Sequence, residues 1–448
     1  MLLFLLECDI LFIKRGVKME AEGRKYLPRL IDKKVDDYLS VFGAVCIEGP
    51  KWCGKTLTSL NHAKSVTYMD DDDNKELAKI DVKAIFNKEL EKRPQLIDEW
   101  HLVPTIWDAV RRECDKTISK GNFILTGSTT LPKNLADEKV FHSGVGRIGR
   151  INMYTMSLFE SGDSTGKASL MDMYEGTLES MNNGEVELVD IARFIVRGGW
   201  PANLDIDDDK INIIPKSYID SILNIDMHEE SDKRRDKNKM LMLLRSLSRN
   251  ETAIVGNKTI IKDIEEYENS NDLLSSRETI ASYLDVLNRL HLTLNQEAYS
   301  YNYRSPERIG KSPKRHLVDP SLACACLNLT VDKLLKDLKT FGFLFESLVE
   351  RDLRIYMDYL DGNLYHFRDS ITGLEVDSIL EFADGEYAAI EIKLGFNGVK
   401  EALSSLTKFY DSMVKKPKFM CVIVGKCASI LRDSETGIYI VPITALKP

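Results

Sequence analysis

The sequence lacks several features that would have narrowed its role at once. Its 8 cysteines, at 8, 46, 53, 114, 324, 326, 421 and 427, form no C-x-x-C pair, and there are only 7 histidines, so no zinc framework or disulfide scaffold is written into it. Reduced thiols are expected. Positive charge is not in excess either: 61 Lys and Arg stand against 70 Asp and Glu, a net charge of −9 that excludes a surface coated in cations but leaves room for a local basic groove. Long apolar runs are also missing. The opening MLLFLLECDILFI carries Glu7 and Asp9, is too short to cross a bilayer and lacks the basic start of a signal peptide. It reads as an N-terminal extension, residues 1–24, with translation starting at Met1 or at Met19; a buried N-terminal strand is the alternative. No membrane association is expected, and the cytoplasm is the expected compartment.

What is present suits a folded chain of two or three domains: 448 residues, 43% hydrophobic and 29% charged. From Tyr26 to about Ser161, the short apolar runs GAVCIEG, SVTYMD, PQLIDEW and NFILTGS alternate with amphipathic pieces, the rhythm of an α/β domain with a largely parallel sheet. Between about 190 and 305 helical patterns dominate, as in NKMLMLLRSLSRN and RETIASYLDVLNRLHL. After Pro313 a helical run, FGFLFESLVERDLRIYM, leads into two strand patterns, LEVDSILEF and YAAIEIKLG, around ADGE.

The sharpest motif is Gly49-Pro50-Lys51-Trp52-Cys53-Gly54-Lys55-Thr56, followed by Leu57, which fits G-x-x-x-x-G-K-[ST] between a strand and a helix. Glycines let backbone N–H groups close around phosphate, the next helix offers its positive end, Lys55 reaches the terminal phosphates and Thr56 supplies a magnesium ligand. Downstream, QLIDEW ends a second strand in Asp98, to hold the metal through water, and Glu99, to orient and deprotonate the attacking water. A third strand ends in Thr126-Gly127-Ser128, of which Ser128 is expected to contact the γ-phosphate or the water; a plain turn also explains these residues. Arg147 and Arg150 follow as candidates for neutralising transition-state charge, with surface salt bridging as the competing reading.

With these residues in place, the chain resembles prokaryotic AAA-type ATPases, in which GP…GKT, DE and TGS precede a GR…MSLFE segment and a C-terminal domain of unknown function (4143) commonly follows. The likeness continues through RGGWP at 197–201 and VDPSLA at 318–323. It implies an AAA-type P-loop fold, with ATP and Mg2+ as ligands.

The middle stretch TIIKDIEEYENSNDLLSSRETIASYLDVLNRLHL reads as helix, turn, helix, with LTLN and YSYNYRS as a wing; it looks like a winged helix. Ser275 or Ser276 would cap the second helix, and Tyr283, Leu284, Leu287 and Leu290 would form its buried face. A packing module without nucleic-acid contact reads equally well. In the last segment, Asp377, then Glu391 and Lys393 in E-x-K spacing, could bind a divalent ion and activate water against a phosphodiester. If Ala383-Asp384-Gly385 form a three-residue loop with a left-handed Gly385, Asp377 stands opposite Glu391 on one face. The spacing is similar to that of PD-(D/E)xK nucleases, in which an upstream helical glutamate often joins; Glu346 fits that place. An amphipathic hairpin beside a surface helix is the alternative.

The expected organisation is therefore a P-loop domain at 25–190, a helical, winged-helix-like region at 191–309 and a restriction-endonuclease-like α/β domain at 310–448. The expected cofactors are ATP and Mg2+ at the loop and a second divalent ion, Mg2+ or Mn2+, at the C-terminal residues. Two functional readings stay open: ATP hydrolysis coupled to a nuclease-like domain on DNA, or an ATP-gated DNA-binding or protein-interaction regulator whose nuclease fold is inactive. DNA and further copies of this chain are the macromolecular partners left open.

Overall fold

The computed structural model describes residues 20–21, 24–116, 119–128, 143–226, 236–267, 277–302, 304, 312–369 and 371–448. The opening segment 1–19 and the expected helix cap at Ser275 or Ser276 lie outside the described residues. Contacts divide the chain into two compact units, one running to Thr155 and including Arg289–His291, the other Met156–Asn288 with Leu292–Pro448.

The first unit contains α1 (Ile31–Val41), β1 (Ala44–Glu48), α2 (Lys55–His62), β2 (Ser65–Tyr68), β3 (Gln95–Asp98), α3 (Thr105–Lys116), β4 (Phe123–Gly127) and β5 (Ile148–Asn152). The sheet order is β2-β3-β4-β1-β5, parallel throughout. A parallel sheet is covered on both faces, which is why β1, β3 and β4 are buried along their length. Alternation sorts their side chains into two layers. Ala44, Cys46, Ile97, Phe123 and Leu125 pack with Ile106, Trp107 and Val110 of α3, whereas Val45, Ile47, Leu96 and Ile124 pack with Ile31 and Val35 of α1. In open sheets of this kind ligands sit beyond the carboxyl ends of the strands. That edge is where β1, β3 and β4 deliver Gly49, Asp98 and Ser128.

In the second unit the chain forms β6 (Ala168–Ser169), β7 (Met181–Asn182) and α4 (Leu188–Arg197), then the helices α5 (Lys237–Arg249), α6 (Asn257–Tyr267) and α7 (Arg277–Arg289). Tyr283, Leu284, Leu287 and Leu290 are buried, as their helical spacing predicts. A two-stranded antiparallel sheet follows, β8 (Thr293–Gln296) with β9 (Lys314–Leu317), and Lys314 also bridges Ile254. Next come α8 (Pro320–Cys326) and the long α9 (Leu338–Tyr359).

The remaining elements are β10 (Asn363–Arg368), β11 (Glu375–Glu381), β12 (Tyr387–Gly395), α10 (Val399–Ser412), β13 (Phe419–Lys426), β14 (Ser429–Arg432), β15 (Tyr439–Pro442) and β16 (Leu446–Lys447). They build a mixed seven-stranded sheet, β10-β11-β12-β13-β15-β14-β7, whose last strand comes from far upstream. β16 likewise pairs with β6. One face packs Tyr387, Ala389, Val422 and Val424 against Val399, Ala402, Leu406 and Phe409 of α10.

A buried polar hub ties distant phrases of this unit together. Asp319, fully buried, accepts from the Gly199 N–H at 2.9 Å and from Arg351 at 3.2 Å, while Ser321 accepts from the Trp200 indole at 2.9 Å. Arg351 also pairs with Asp352 at 2.7 Å, and Asp352 in turn accepts from the Leu158 N–H at 3.0 Å. The MSLFE, RGGWP and VDPSLA segments thus meet on α9. Gly199 has no room for a side chain there, since a Cβ would stand 2.1 Å from the Met156 carbonyl oxygen.

Candidate nucleotide site and C-terminal carboxylate cluster

The loop after β1 is shaped by close approach and by left-handed backbone. A Cβ on Gly49 would lie 2.2 Å from the Met153 carbonyl oxygen, so only glycine fits. Gly54 (φ 106°) caps α2 and Trp52 (φ 63°) turns the loop with its side chain half exposed. The buried Lys55 ammonium donates to the carbonyls of Gly49 (2.9 Å) and Pro50 (2.8 Å). Below the loop, Arg29 donates to the Cys53 carbonyl at 2.8 Å and to Tyr154 and Thr155 at 2.9 and 3.2 Å, fastening the loop to the chain after β5. Asp32 accepts from Tyr26 (2.6 Å) and meets His62 at 3.0 Å, clasping the far end of α2.

The expected acidic residues converge on this loop. Thr56 Oγ1 donates to both oxygens of Asp98, at 3.1 and 3.2 Å, and Thr126 donates a short hydrogen bond to Asp98 Oδ1. Burial, with help from Glu99, pushes the Asp98 carboxyl up, while Thr126, Thr56 and Lys55 act against it. Glu99 sits at φ 55°, a left-handed conformation that costs a non-glycine residue about 1–3 kcal/mol and needs surrounding contacts to hold it. Those contacts are Ser128 Oγ, donating to Glu99 Oε2 at 3.2 Å, and the Glu99 N–H donating to Thr126 at 3.3 Å; His101 Nδ1 lies 3.2 Å from the same oxygen without a hydrogen bond. Burial, then Lys51 and Lys55, lower His101 to about 4, so it stays neutral at pH 7.

Sequence reasoning chose Ser128 and missed the partners Thr126, His101 and Arg29. Thr126 stands in the same TGS phrase and His101 two residues after Glu99, but no spacing announces Arg29. The structure places the two arginine candidates differently. The segment holding them is β5, and Arg147 precedes its amino end, with its main-chain carbonyl bonded to the Ala44 N–H at the edge opposite the loop. Its exposed guanidinium pairs with Asp115 at 2.7 Å, the surface salt bridge of the competing reading. Arg150 is engaged by Glu48 at 3.2 Å and lies 4.7 Å from the Trp107 ring centroid.

In the second unit, the three-residue loop forms as expected: Phe382 pairs with Glu386, Gly385 takes φ 80°, and the ladder reaches Ser378 opposite Ile390. Asp377 and Glu391 consequently share a face. Where the main-chain ladder stops, Asp377 Oδ2 accepts the Ile392 N–H at 2.8 Å. Lys393 lies 2.8 Å from Glu391 and 3.9 Å from Asp377, and Ser405 of α10 donates to Glu391 at 3.2 Å. Burial and Asp377 raise Glu391 to about 7, against the pull of Lys393.

Glu346 joins differently. Its direct partner is Lys314, at 2.7 Å, which also meets Glu350 at 3.3 Å and the Asp377 carbonyl at 3.1 Å. Glu350 and Lys314 were not anticipated; Glu350 stands one helical turn after Glu346, and no spacing leads to Lys314. Among the described residues no group of three or more His, Cys, Asp or Glu is arranged to hold a metal ion. Also among these, no helix is long and apolar enough to cross a membrane.

Three stretches of the chain match known families. Residues 42–161 match the family described as AAA domain, 188–333 a domain of unknown function (DUF8612) and 341–446 another domain of unknown function (DUF4143). No curated protein matches. Among solved structures the chain is similar to a Walker-type ATPase of Pyrococcus abyssi, with 14% identity, 68% of this chain and 97% of that one covered and a TM-score of 0.41. It is also similar to the ORC2 protein of Aeropyrum pernix in ADPNP-ADP complexes (10%, 70% and 90%, 0.28). A third similarity is to the Aeropyrum pernix ORC1 protein in complex with DNA (11%, 72% and 95%, 0.22).

Proposed function

For a chain that carries an AAA-type P-loop domain and a C-terminal DUF4143 domain, we propose ATP binding and hydrolysis coupled to a nucleic-acid-directed, nuclease-like C-terminal domain. The observation that carries the hydrolytic half is the pairing of Thr56 with Asp98 and of Ser128 with Glu99 at the carboxyl edge of one parallel sheet. The loop 49–57 receives the phosphates, and Lys55 exchanges the two carbonyls it now holds for terminal phosphate oxygens. Thr56 and Asp98 are the residues that would hold Mg2+, which neutralises phosphate charge when bound. Glu99, positioned by Ser128, takes the proton as water oxygen bonds to the γ-phosphorus and the bond to the β–γ bridging oxygen breaks. Arg150, engaged with Glu48, has a better claim than Arg147 to any role near the loop.

In this reading the P-loop domain spans 25–190, the helical region 191–309 and the nuclease-like domain 310–448. Three helices followed by β8 and β9, with the Ile254 bridge, support a winged-helix-like module. The shared face of Asp377, Glu391 and Lys393, with a helical glutamate nearby, supports the nuclease-like domain, DNA as partner and a second Mg2+ or Mn2+ there. Lys314 favours the second reading, an ATP-gated regulator with an inactive nuclease fold, because an ammonium already bridges Glu346 and Glu350. Cytoplasmic residence and self-association complete the proposal.

The test is ATP turnover and DNA integrity, with Mg2+ or Mn2+, for wild type, Lys55→Ala and Glu391→Ala. Turnover lost in Lys55→Ala, with DNA cut by wild type but not by Glu391→Ala, is the expected result. Intact DNA across varied ends and structures would leave the second reading; turnover unchanged in Lys55→Ala would remove both.

A further inference from the structure

The C-terminal cluster contains an ion pair that its hairpin does not supply. Glu346 and Glu350 lie one turn apart on α9, so their carboxylates face the same neighbour. Glu350 is 2% exposed and Lys314 7%. A lysine ammonium has three donors, and at Lys314 all three have an acceptor: Glu346 Oε1 at 2.7 Å, Glu350 Oε1 at 3.3 Å and the Asp377 carbonyl at 3.1 Å. Burial lowers the lysine's proton affinity, but Glu350, Glu346 and Asp377 more than reverse this and keep it charged.

Among the described residues, Lys314 and His316 are the basic side chains within 4.0 Å of these two carboxylates. Glu350 Oε1 accepts from Ser378 at 3.1 Å, and Oε2 has no hydrogen-bond partner among the described residues. His316 Nε2 is 3.5 Å from Oε2 but also 3.0 Å from Gln296 Oε1, and burial, Arg354 and Lys314 hold that imidazole neutral. Lys393 is committed to Glu391 and Asp377. Lys314 is delivered from β9, within the 188–333 match, whereas both carboxylates stand inside the 341–446 match.

A divalent ion binds carboxylate oxygen at about 2.0–2.6 Å and cannot share a position with an ammonium bridging the same two side chains. We infer that Lys314 is a built-in counter-ion that occupies the cation position between Glu346 and Glu350, so that this position, as distinct from the Asp377–Glu391 face, is closed to a divalent ion and opens only when that side chain is withdrawn. The inference rests on the carboxylate cluster of the proposed function but not on DNA cleavage. An uncut DNA bears on that reading alone; metal occupancy bears on this one.

The test uses the full chain without nucleotide in an Asp98→Asn background, so that the phosphate loop adds no carboxylate, and follows free Mn2+ by electron paramagnetic resonance. The Lys314 parent should show no site that depends on Glu346. Lys314→Ala should gain one Mn2+, at least tenfold tighter than the parent's binding, and should lose it when Glu346→Gln is added. Its melting temperature should fall and be restored by Mn2+. The inference is overturned if the parent binds Mn2+ in a Glu346-dependent way, or if folded Lys314→Ala binds none. Should Lys314→Ala fail to fold, the triple variant Lys314→Met, Glu346→Gln, Glu350→Gln decides: a folded protein supports charge balance as the lysine's role, and an unfolded one overturns it.

Discussion

Two lysines define the contrast between the units. Lys55 is held by two main-chain carbonyls, neutral acceptors that an incoming phosphate outbids by charge. Lys314 is held by one buried and one partly buried carboxylate and a carbonyl, and nothing neutral can replace it without stranding charge. The difference teaches that a buried lysine among acceptors is not one kind of site. Neutral acceptors make it exchangeable; charged ones make it structural.

The contrast breaks most sharply on activity. Lys55→Ala should lower ATP turnover by about a thousandfold or more, and Glu99→Gln should retain nucleotide while losing about 10²–10⁴ in kcat, measured by equilibrium binding beside phosphate release. A Glu99→Gln protein that hydrolyses at the wild-type rate would sink the assignment of Glu99 as base. Stability should invert the ranking of the two lysines. Lys314→Met should cost about 3–5 kcal/mol by urea unfolding because it leaves the buried Glu350 and the partly buried Glu346 unbalanced, against under about 2 kcal/mol for Lys55→Met, which loses only neutral hydrogen bonds. Equal costs would erase the distinction.

Acidity sharpens the comparison on the second unit. Glu251, fully buried, accepts from the Leu317 N–H and from Ser347, yet burial raises it from 4.5 to about 8. A carboxyl that keeps its proton longer when folded contributes stability that is full below pH 4.5 and is lost as pH rises through about 8. Wild type should therefore lose about 2–4 kcal/mol between pH 5 and 8.5, at about 1.4 kcal/mol per unit, and Glu251→Gln should flatten that slope; an unchanged slope refutes the attribution. The smallest effect belongs to Arg147→Ala, whose exposed ion pair with Asp115 lies at the opposite sheet edge. Turnover should change by less than about twofold, and a large loss would return Arg147 to the site.

The proposed nucleotide site was legible because its residues lie close together in sequence or at strand ends. Eight consecutive residues make the loop, and Asp98, Glu99 and Ser128 each end an apolar run, so strand periodicity delivers them to one edge. β5 was not read as a strand because IGRIN mixes glycine, arginine and asparagine, and its partner β1 supplies the burial that its own composition does not announce. The hairpin face of Asp377, Glu391 and Lys393 was also legible, since loop length fixes register. Lys314 and Glu350 were not, because they meet only through the packing of β9 beside α9, which no pattern within SPKRH or ESLVERD encodes. Glu346 was found on a helix face, but its partner could not be.

The hub on α9 bears on how this chain could be recombined. Arg351 and Asp352 lie within the 341–446 match, yet their partners Asp319 and Leu158 lie outside it, and the outer strand of the seven-stranded sheet comes from Met181–Asn182. A transplant of residues 341–446 alone into another host would part Arg351 from Asp319 and Asp352 from the Leu158 N–H, and would leave the sheet without a bordering strand. The inheritable piece is discontinuous: a C-terminal segment together with the stretches around 158, 182, 199 and 319 that complete it, so a shuffling event that respects sequence boundaries would sever the very contacts that make the segment a fold.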